Sequence, residues 1–301
     1  MRAIRQERVG GPEVLELVEV DRPVPMPTEV LVKVHAAGVN PVDWKTRAGK
    51  GMGLQPPFTV GWDVSGVVEE LGFATSIFAV GDEVLGMPWF PRPANAYAEY
   101  VTAPARQFVR KPAKLSHAEA AGLPLAGLTA WQALVDVANV QPGQRVLVTA
   151  AAGGVGHLAV QIAKARGAYV LGTARAAKHE LLRSLGVDEP IDYTTVDVAA
   201  SVRDVDLVLD LIGGAHSLDL VRSVAEGGLI IPVPGGVTED VAAAAARHGV
   251  RTSPILVEPD HAGLLGLVDL VEADKLKILV EQSFPLADAG KAHEVGEAGR
   301  V

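Results

Sequence analysis

The stretch Val146 to Gly156, VLVTAAAGGVG, running on into HLAVQIAKARGA, constrains the fold more than any other part of this 301-residue chain. Its valines and leucine make a short apolar run suited to a buried strand, its glycines make a turn, and Leu158, Ile162 and Ala163 repeat at helical spacing. Glycine at such a turn lets a ligand approach the backbone with no Cβ in the way, and the free N–H groups that begin the helix favour anionic oxygen. A second apolar run, Tyr169 to Thr173, completes a βαβ unit. The pattern places a dinucleotide pyrophosphate over Ala152, Gly153, Gly154, Val155 and Gly156, although the first glycine of the G-x-G-x-x-G fingerprint is Ala151 here. The alternative is a glycine turn of a parallel sheet with no ligand.

The end of the second strand distinguishes the two nicotinamide dinucleotides. An NAD site usually carries Asp or Glu about 20 residues past the glycines to bind the ribose 2′-hydroxyl, and that carboxylate would repel a 2′-phosphate. Here Thr173-Ala174-Arg175 stands in that place, with Lys178 following and Tyr193 after the next short strand. NADP(H) is the expected cofactor: Arg175 can fork onto a phosphate, Lys178 adds a point charge and Tyr193 offers a hydroxyl. The other reading leaves Arg175 and Lys178 as solvated surface charges.

With 49% hydrophobic residues the chain can bury a large core, and its length suits one or two domains. A net charge of −9 with no basic run argues against a nucleic-acid surface. No apolar run approaches the ~18 residues of a membrane span, and Arg2, Arg5 and Glu7 interrupt any signal-peptide core, so a cytoplasmic protein is expected. The absence of cysteine removes disulfides, thiolate zinc sites and a cysteine nucleophile.

The first hundred residues read as short strands (Val14 to Val18, Glu29 to Ala36, Asp63 to Leu71, Asp82 to Gly86, Ala96 to Thr102) punctuated by proline and glycine, which indicates a β-rich domain or barrel. The period changes at Ser116. With Glu119 it forms a capping box ahead of one long helical pattern through Trp131 and Leu134 to Gln141. Strands then alternate with helical segments: Arg145 to Ala150, Tyr169 to Thr173, Pro190 to Tyr193, Asp206 to Asp210, Gly228 to Val233 and Arg251 to Val257. That alternation is a doubly wound parallel sheet of the Rossmann type, with ligands outside the carboxyl ends of its strands. The glycine-rich ends at Leu211 to Gly214 and Pro234 to Gly236 either bring Ile212 and Val233 to the nicotinamide half or are plain strand-end turns. Helices over Pro259 to Ala273 and Leu286 to Glu297 close the chain. The fold class is therefore α/β, with a β-rich domain at 1–115 completed by 258–301 and a dinucleotide-binding domain at 116–257.

Taken together, Ala37-Gly38-Val39-Asn40-Pro41-Val42-Asp43, Gly61-Trp62-Asp63-Val64-Ser65-Gly66-Val67-Val68, Val80-Gly81-Asp82-Glu83-Val84, Ala96-Tyr97-Ala98-Glu99-Tyr100, Gly127-Leu128-Thr129-Ala130 and the Ala151 to Gly156 turn resemble the medium-chain dehydrogenase/reductase family. The nearest branch is the zinc-independent quinone oxidoreductases, similar to zeta-crystallin. The resemblance implies a GroES-like catalytic domain interrupted by a Rossmann domain, with the active site in the cleft between them. It puts Asn40 and Asp43 at the base of that cleft, Thr129 near the nicotinamide and the glycine turn on the pyrophosphate. It also implies a homodimer through sheet edges around Arg251 to Val257, and a further terminal strand with a Gly-Lys pair where this sequence reads Glu297-Ala298-Gly299-Arg300-Val301. That strand is expected to be shortened or absent, leaving a sheet edge exposed.

Against the zinc-dependent members of the family, Asn40 stands where a cysteine ligand is usual, and Gly61-Trp62-Asp63 where Gly-His-Glu supplies another. No metal is expected. Without a Lewis acid, simple alcohol oxidation is disfavoured, and what remains is hydride transfer to an electron-poor acceptor such as a quinone ring or an α,β-unsaturated ketone. Asn40 is expected to orient the substrate oxygen or the cofactor, with the last proton from water or a tyrosine hydroxyl. Tyr97 is the tyrosine candidate, its alternative being packing in a small barrel. Trp44, Leu54, Phe58, Trp62, Trp89 and Phe90 divide between pocket and core, and 50–57 and 88–95 are the segments expected to set substrate choice. Isolated histidines such as His35 and His157 read as surface or cap residues. Ser65, His117 and one of many aspartates could compose a hydrolytic triad, but Ser65 lies in the Asp63 to Val67 strand and not in a G-x-S-x-G elbow, so hydrolase chemistry is not expected. Two rivals remain: an enoyl reductase of a metabolic or polyketide intermediate, and an NADPH-binding protein with a mainly non-catalytic role.

Overall fold

In the computed structural model, residues 1–299 are described, and they divide into two compact units. The first comprises Met1–Leu128, Glu258–Glu272 and the chain from Ile278 onward; the second comprises Thr129–Val257 and Ala273–Lys277.

In the first unit, β1 (Arg2–Arg5) pairs antiparallel with β2 (Glu16–Glu19). A five-stranded antiparallel sheet contains β3 (Glu29–Ala37), β4 (Val64–Leu71), β5 (Glu83–Gly86), β6 (Tyr100–Pro104) and β7 (Phe108–Arg110), in the order β6-β3-β4-β5-β7. Val30, Val32, Val64, Val68, Val84, Val101 and Phe108 fill its core. β-Branched residues suit this pleated, half-buried surface. Gly66 lets β4 close on β3, since a Cβ there would lie 2.1 Å from the Lys33 carbonyl oxygen.

Between β3 and β4 the chain forms α1 (Pro41–Arg47), an element the strand-like reading of this half passed over. Pro41 opens it, where a missing N–H is harmless, and Asn40 is its N-cap. Strand pairing begins at Tyr100 rather than Ala96; Ala98 makes only an isolated bridge with Ala3.

The Ser116 capping box is present: Ser116 Oγ accepts from the Glu119 N–H at 3.2 Å, and Glu119 Oε2 accepts from the Ser116 N–H at 2.8 Å. The single long helix expected beyond it is broken. It becomes α2 (His117–Ala121), α3 (Pro124–Trp131) and a π-helical turn over Gln132–Val137. Pro124 supplies no N–H to continue α2 and starts a new helix instead.

The second unit is a six-stranded parallel sheet of β8 (Arg145–Val148), β9 (Tyr169–Ala174), β10 (Glu189–Asp192), β11 (Val205–Asp210), β12 (Val224–Pro232) and β13 (Arg251–Thr252). Its order is β10-β9-β8-β11-β12-β13, with the strand order reversing between β8 and β11. This is the doubly wound dinucleotide-binding order, and the reversal marks the crevice for ligand. Its helices are α4 (Gly154–Ala165), α5 (His179–Ser184), α6 (Val198–Ser201), α7 (Ala215–Leu220) and α8 (Glu239–Arg247). Leu147, Leu171, Val208 and Ile230 are buried in the sheet's core, as strands covered on both faces require. β13 stops at Thr252, far short of the expected Val257, and Pro254 soon follows, where no ladder N–H is available.

The chain ends on α9 (His261–Glu272) and α10 (Ala289–Glu297). α10 packs on α1, with Trp44 edge-on to His293 at 6.3 Å between ring centres and Gly296 leaving room for the Trp44 ring. The last two residues of the Glu297 to Val301 tail lie outside the described residues. Among the described residues no helix is long and apolar enough to cross a membrane.

Candidate active site

The glycine turn after β8 is shaped by two different demands. A Cβ at Gly156 would lie 2.2 Å from the Ala150 carbonyl oxygen and under 3 Å from Ala151 backbone atoms, so Gly156 is needed to bring α4 against the turn. At Gly154 a Cβ would meet nothing within 4 Å. Gly153 is the N-cap and Gly154 the first residue of α4, so this open space faces N–H groups that have no partner inside the helix. Ala152 and Val155 are half-buried beside them. The cradle fits a pyrophosphate. His157 is a buried residue within α4, its Nδ1 donating at 3.0 Å to the Gly153 carbonyl that also accepts from its N–H, so it is neither a surface residue nor the cap.

Thr173 lies beneath the turn and is buried. Its hydroxyl accepts from the Ala150 N–H at 3.1 Å, and its carbonyl accepts from the Ala151 N–H at 3.0 Å. Its side chain therefore ties the turn to β9 and does not face outward. At the ends of β9 and β10, Arg175 Nε donates to the Tyr193 hydroxyl at 3.2 Å, and both residues are exposed. Lys178 closes the short turn that follows Arg175. The neighbouring Asp192 carboxylate accepts from the Ala176 and Thr194 N–H groups and from the Thr194 hydroxyl, which hold its pKa below the usual range and commit it to the turn. Thr129 is buried in α3 at the start of the second unit. Ile212 is exposed just past β11, and Val233, half-buried, donates its N–H to the Asp210 carbonyl at 2.9 Å.

Sequence reasoning missed the residue that organises this edge. The Asp210 carboxylate, at the end of β11, accepts from Thr149 Oγ1, the Ile212 N–H and His216 Nδ1 through Oδ1, and from the Gly213 N–H and Ser217 Oγ through Oδ2. Burial pushes its pKa up, but the hydrogen bonds from His216, Ser217, Thr149 and Ile212 more than reverse that and bring it to about 2. A buried aspartate ending a parallel strand before Gly-Gly was the available signal.

In the first unit Asn40, Asp43 and Tyr97 come together in one buried network. The Asn40 N–H donates to Asp43 Oδ2 at 2.6 Å, and Asn40 Nδ2 donates to Asp63 Oδ2 at 2.7 Å. Asp63 Oδ1 accepts from the Leu125 N–H at 2.7 Å. Burial raises the Asp63 pKa to about 7, against the hydrogen bonds from Asn40 and Leu125. Burial holds Asp43 well above the carboxylate range, and the Asp63 charge adds to this.

Tyr97 sits between two partners: its hydroxyl lies 3.3 Å from Asp43 Oδ2 and 3.1 Å from His293 Nε2. Arg47 Nη1 stands 3.0 Å from His293 Nδ1 and can only donate, so Nδ1 accepts and the ring proton resides on Nε2. Nε2 then donates to the Tyr97 oxygen, and the Tyr97 proton goes to Asp43. Burial, then the Arg47 charge, hold His293 down at about 3, so the ring is neutral. Burial and the Asp43 charge push Tyr97 well above its usual pKa. The expectation of Tyr97 as a proton donor to substrate is thereby corrected: the hydroxyl is buried and its proton is engaged. Asp43 is likewise enclosed and acts on Asn40.

Three of the six apolar candidates, Phe58, Trp62 and Phe90, are core, and Trp44, Leu54 and Trp89 are half-buried. Trp62 is fully buried, with Nε1 donating to the Arg92 carbonyl at 2.7 Å, and Phe90 packs edge-on against it; Phe58 joins Ile4, Val60 and Tyr97. Ser65 and His117 do meet, at 2.8 Å, but Ser65 is buried in β4 and also donates to the Val84 carbonyl, so no nucleophile is presented. His35 is exposed, as its reading as a surface residue has it, with its ring 4.4 Å from that of His117.

Comparison with known proteins now bears on both units. Residues 26–113 match the alcohol dehydrogenase GroES-like domain, and residues 185–301 match a domain described as zinc-binding dehydrogenase. A quinone-oxidoreductase homolog of Spinacia oleracea, chloroplastic, is 35% identical over 92% of this chain and 89% of its own length. The solved quinone oxidoreductase of Coxiella burnetii is 40% identical, covering 100% of this chain and 96% of that one at a TM-score of 0.93.

This chain belongs to the quinone oxidoreductase branch of the medium-chain dehydrogenase/reductase family.

As a medium-chain dehydrogenase/reductase it is an oxidoreductase, with a GroES-like unit and a Rossmann unit. The Escherichia coli quinone oxidoreductase, solved with NADPH, is 27% identical, covers 100% of this chain and 98% of that one, and has a TM-score of 0.89. A nicotinamide cofactor fits the cradle over Gly153 and Gly154. The zinc in one domain's description does not fit the donors of this family member: Trp62 offers only an N–H, and the Asn40 amide is given to Asp63. Among the described residues no group of three His, Asp or Glu side chains is placed to hold a metal ion.

Proposed function

We propose that this chain is an NADPH-dependent reductase that passes hydride, without a metal, to a quinone or an α,β-unsaturated ketone. One observation carries the cofactor choice. Where an NAD site needs a carboxylate on the ribose, this chain presents Arg175, held by Tyr193 through Nε with its Nη groups left for a phosphate. When bound, the dihydronicotinamide supplies the hydride, and the protein's work is to hold and orient.

The glycine turn and the N-terminus of α4 bind the pyrophosphate, and Arg175, Lys178 and Tyr193 bind the 2′-phosphate. Thr129, Ile212 and Val233 are assigned to the nicotinamide half. Asn40 keeps one amide proton beyond the one given to Asp63, and that donor is assigned to the substrate oxygen, where negative charge grows during reduction. Asp43 and Asp63 position it. With the Tyr97 proton engaged, water is the source of the last proton. We further infer pairing of two copies along the outer edge of β13 and the segment after it, where Leu256 is 58% exposed; light scattering in solution tests this.

The experiment is steady-state oxidation of NADPH and NADH, in chelator, against 1,4-benzoquinone, 9,10-phenanthrenequinone and a short alkenone. Chelator-resistant turnover that prefers NADPH supports the reading, and kcat/KM ranks quinone against enone. Tight NADPH binding with no turnover on any acceptor overturns it in favour of a narrower substrate or a non-catalytic role.

A further inference from the structure

The two glycine-rich loops at the carboxyl edge of the parallel sheet meet at one residue, Asp210: its carboxylate holds the first and its main-chain carbonyl the second. Thr149 directly follows β8, just ahead of the glycine turn; its hydroxyl donates to Asp210 Oδ1 at 2.8 Å and accepts from the Leu211 N–H at 2.8 Å. The Ile212 and Gly213 N–H groups reach Asp210 at 3.0 and 3.1 Å. Ser217 Oγ and His216 Nδ1, from α7, reach it at 2.6 and 3.2 Å. Gly213, at φ +80°, stands so close to the next loop that a Cβ would lie 2.2 Å from the Pro234 carbonyl oxygen. Val233 is tied to the Asp210 carbonyl. Thr149 after β8, the 211–214 loop, the first turn of α7 and the 233–236 loop thus share Asp210.

We propose that Asp210 is the positioning residue for the nicotinamide half of the cofactor site, fixing Ile212 and the Val233 to Gly236 loop relative to the glycine turn. The proposal rests on the nicotinamide-cofactor reading above. Every partner of the carboxylate is a donor, so only an acceptor at both oxygens satisfies the set. Asn at this position keeps the volume but turns one acceptor into a donor. The least costly arrangement puts its oxygen among Thr149, Ile212 and His216 and its amide where Oδ2 was. Ser217 can then rotate its hydroxyl to accept, but the Gly213 N–H is left facing another N–H. Asp210→Asn therefore releases the 211–214 loop at Gly213, the residue pressed against Pro234. The adenine and 2′-phosphate end, built from Arg175, Lys178 and Tyr193 on β9 and β10, has no hydrogen bond to Asp210 that would transmit the change.

The test is calorimetric titration of wild type, Asp210→Asn and Thr149→Val with NADPH and with adenosine 2′,5′-bisphosphate, which lacks the nicotinamide half. In Asp210→Asn the NADPH affinity is expected to fall about tenfold or more, as for a lost hydrogen bond to a charged group, while the bisphosphate stays within about twofold. Thr149→Val, which removes the hydroxyl between Asp210 and Leu211, is expected to show the same selective loss at smaller size, and it decides the matter where Asp210→Asn does not fold. Equal losses for both ligands, the mark of a merely structural role, overturn the proposal; so does no loss for either. Wild type that binds the bisphosphate and NADPH equally, gaining nothing from the nicotinamide half, also overturns it. Wild type that binds neither ligand overturns the cofactor reading itself, and this proposal with it.

Discussion

Asn40 Nδ2 donates to Asp63 Oδ2 at 2.7 Å, which ties the N-cap of α1 to the residue just before β4. One residue thus satisfies a buried carboxylate and begins a helix, and in the proposed reaction its other amide proton would serve the substrate oxygen. Asn40→Ala removes the cap partner and leaves Asp63 short of a donor, at an expected cost of about 1–3 kcal/mol in chemical denaturation. Turnover should fall further than that loss of folded protein explains, measured where the variant is still fully folded.

His293 and Asp63 pull the pH dependence of stability in opposite directions. His293 falls from 6.5 to about 3 on folding, so the unfolded chain binds more protons between those values, and the stability it contributes is full above 6.5 and lost as pH falls toward 3. Asp63 rises from 3.8 to about 7, so its contribution is full below 3.8 and lost as pH rises through 7. Denaturation midpoints across that range check both: His293→Gln should flatten the acid limb, and Asp63→Asn the limb between 4 and 7. Unchanged slopes in both variants would refute the assignment.

Gly154 and Gly156 sit two residues apart and should respond differently to alanine. At Gly156 the added methyl meets the Ala150 and Ala151 backbone, so Gly156→Ala should destabilise by roughly 1–3 kcal/mol and lose cofactor. At Gly154 the methyl meets no protein atom, so Gly154→Ala should leave the melting temperature unchanged or slightly raised, while NADPH binding weakens because the methyl enters the phosphate space. Thermal melts with and without NADPH read both effects.

Arg175→Ala tests cofactor choice directly. The lost charge-assisted hydrogen bonding should weaken NADPH by about 1.5–3 kcal/mol and leave NADH nearly unchanged, as judged by the two dissociation constants. Equal losses for both dinucleotides would remove the 2′-phosphate from this position.

The sequence by itself determined the βαβ unit around the glycine turn, the alternation that becomes the parallel sheet, the Ser116 capping box and the placement of Arg175 beside Tyr193. These rest on local periodicity, on turn chemistry and on the fixed spacing from glycine turn to second strand end, all of which act over a few tens of residues. The broken helix at Pro124 was also locally written, but the apolar pattern running through it masked the missing N–H. Only the tertiary structure decided that Tyr97 spends its proton on Asp43, because that depends on His293 and Arg47, which lie far apart in the chain and meet where α10 packs on α1. It likewise decided that Asp210 gathers Thr149, Gly213 and Ser217, and that Trp62 faces the core. A buried polar atom takes whichever partner the packing brings to it, and that pairing leaves no period or spacing in the chain.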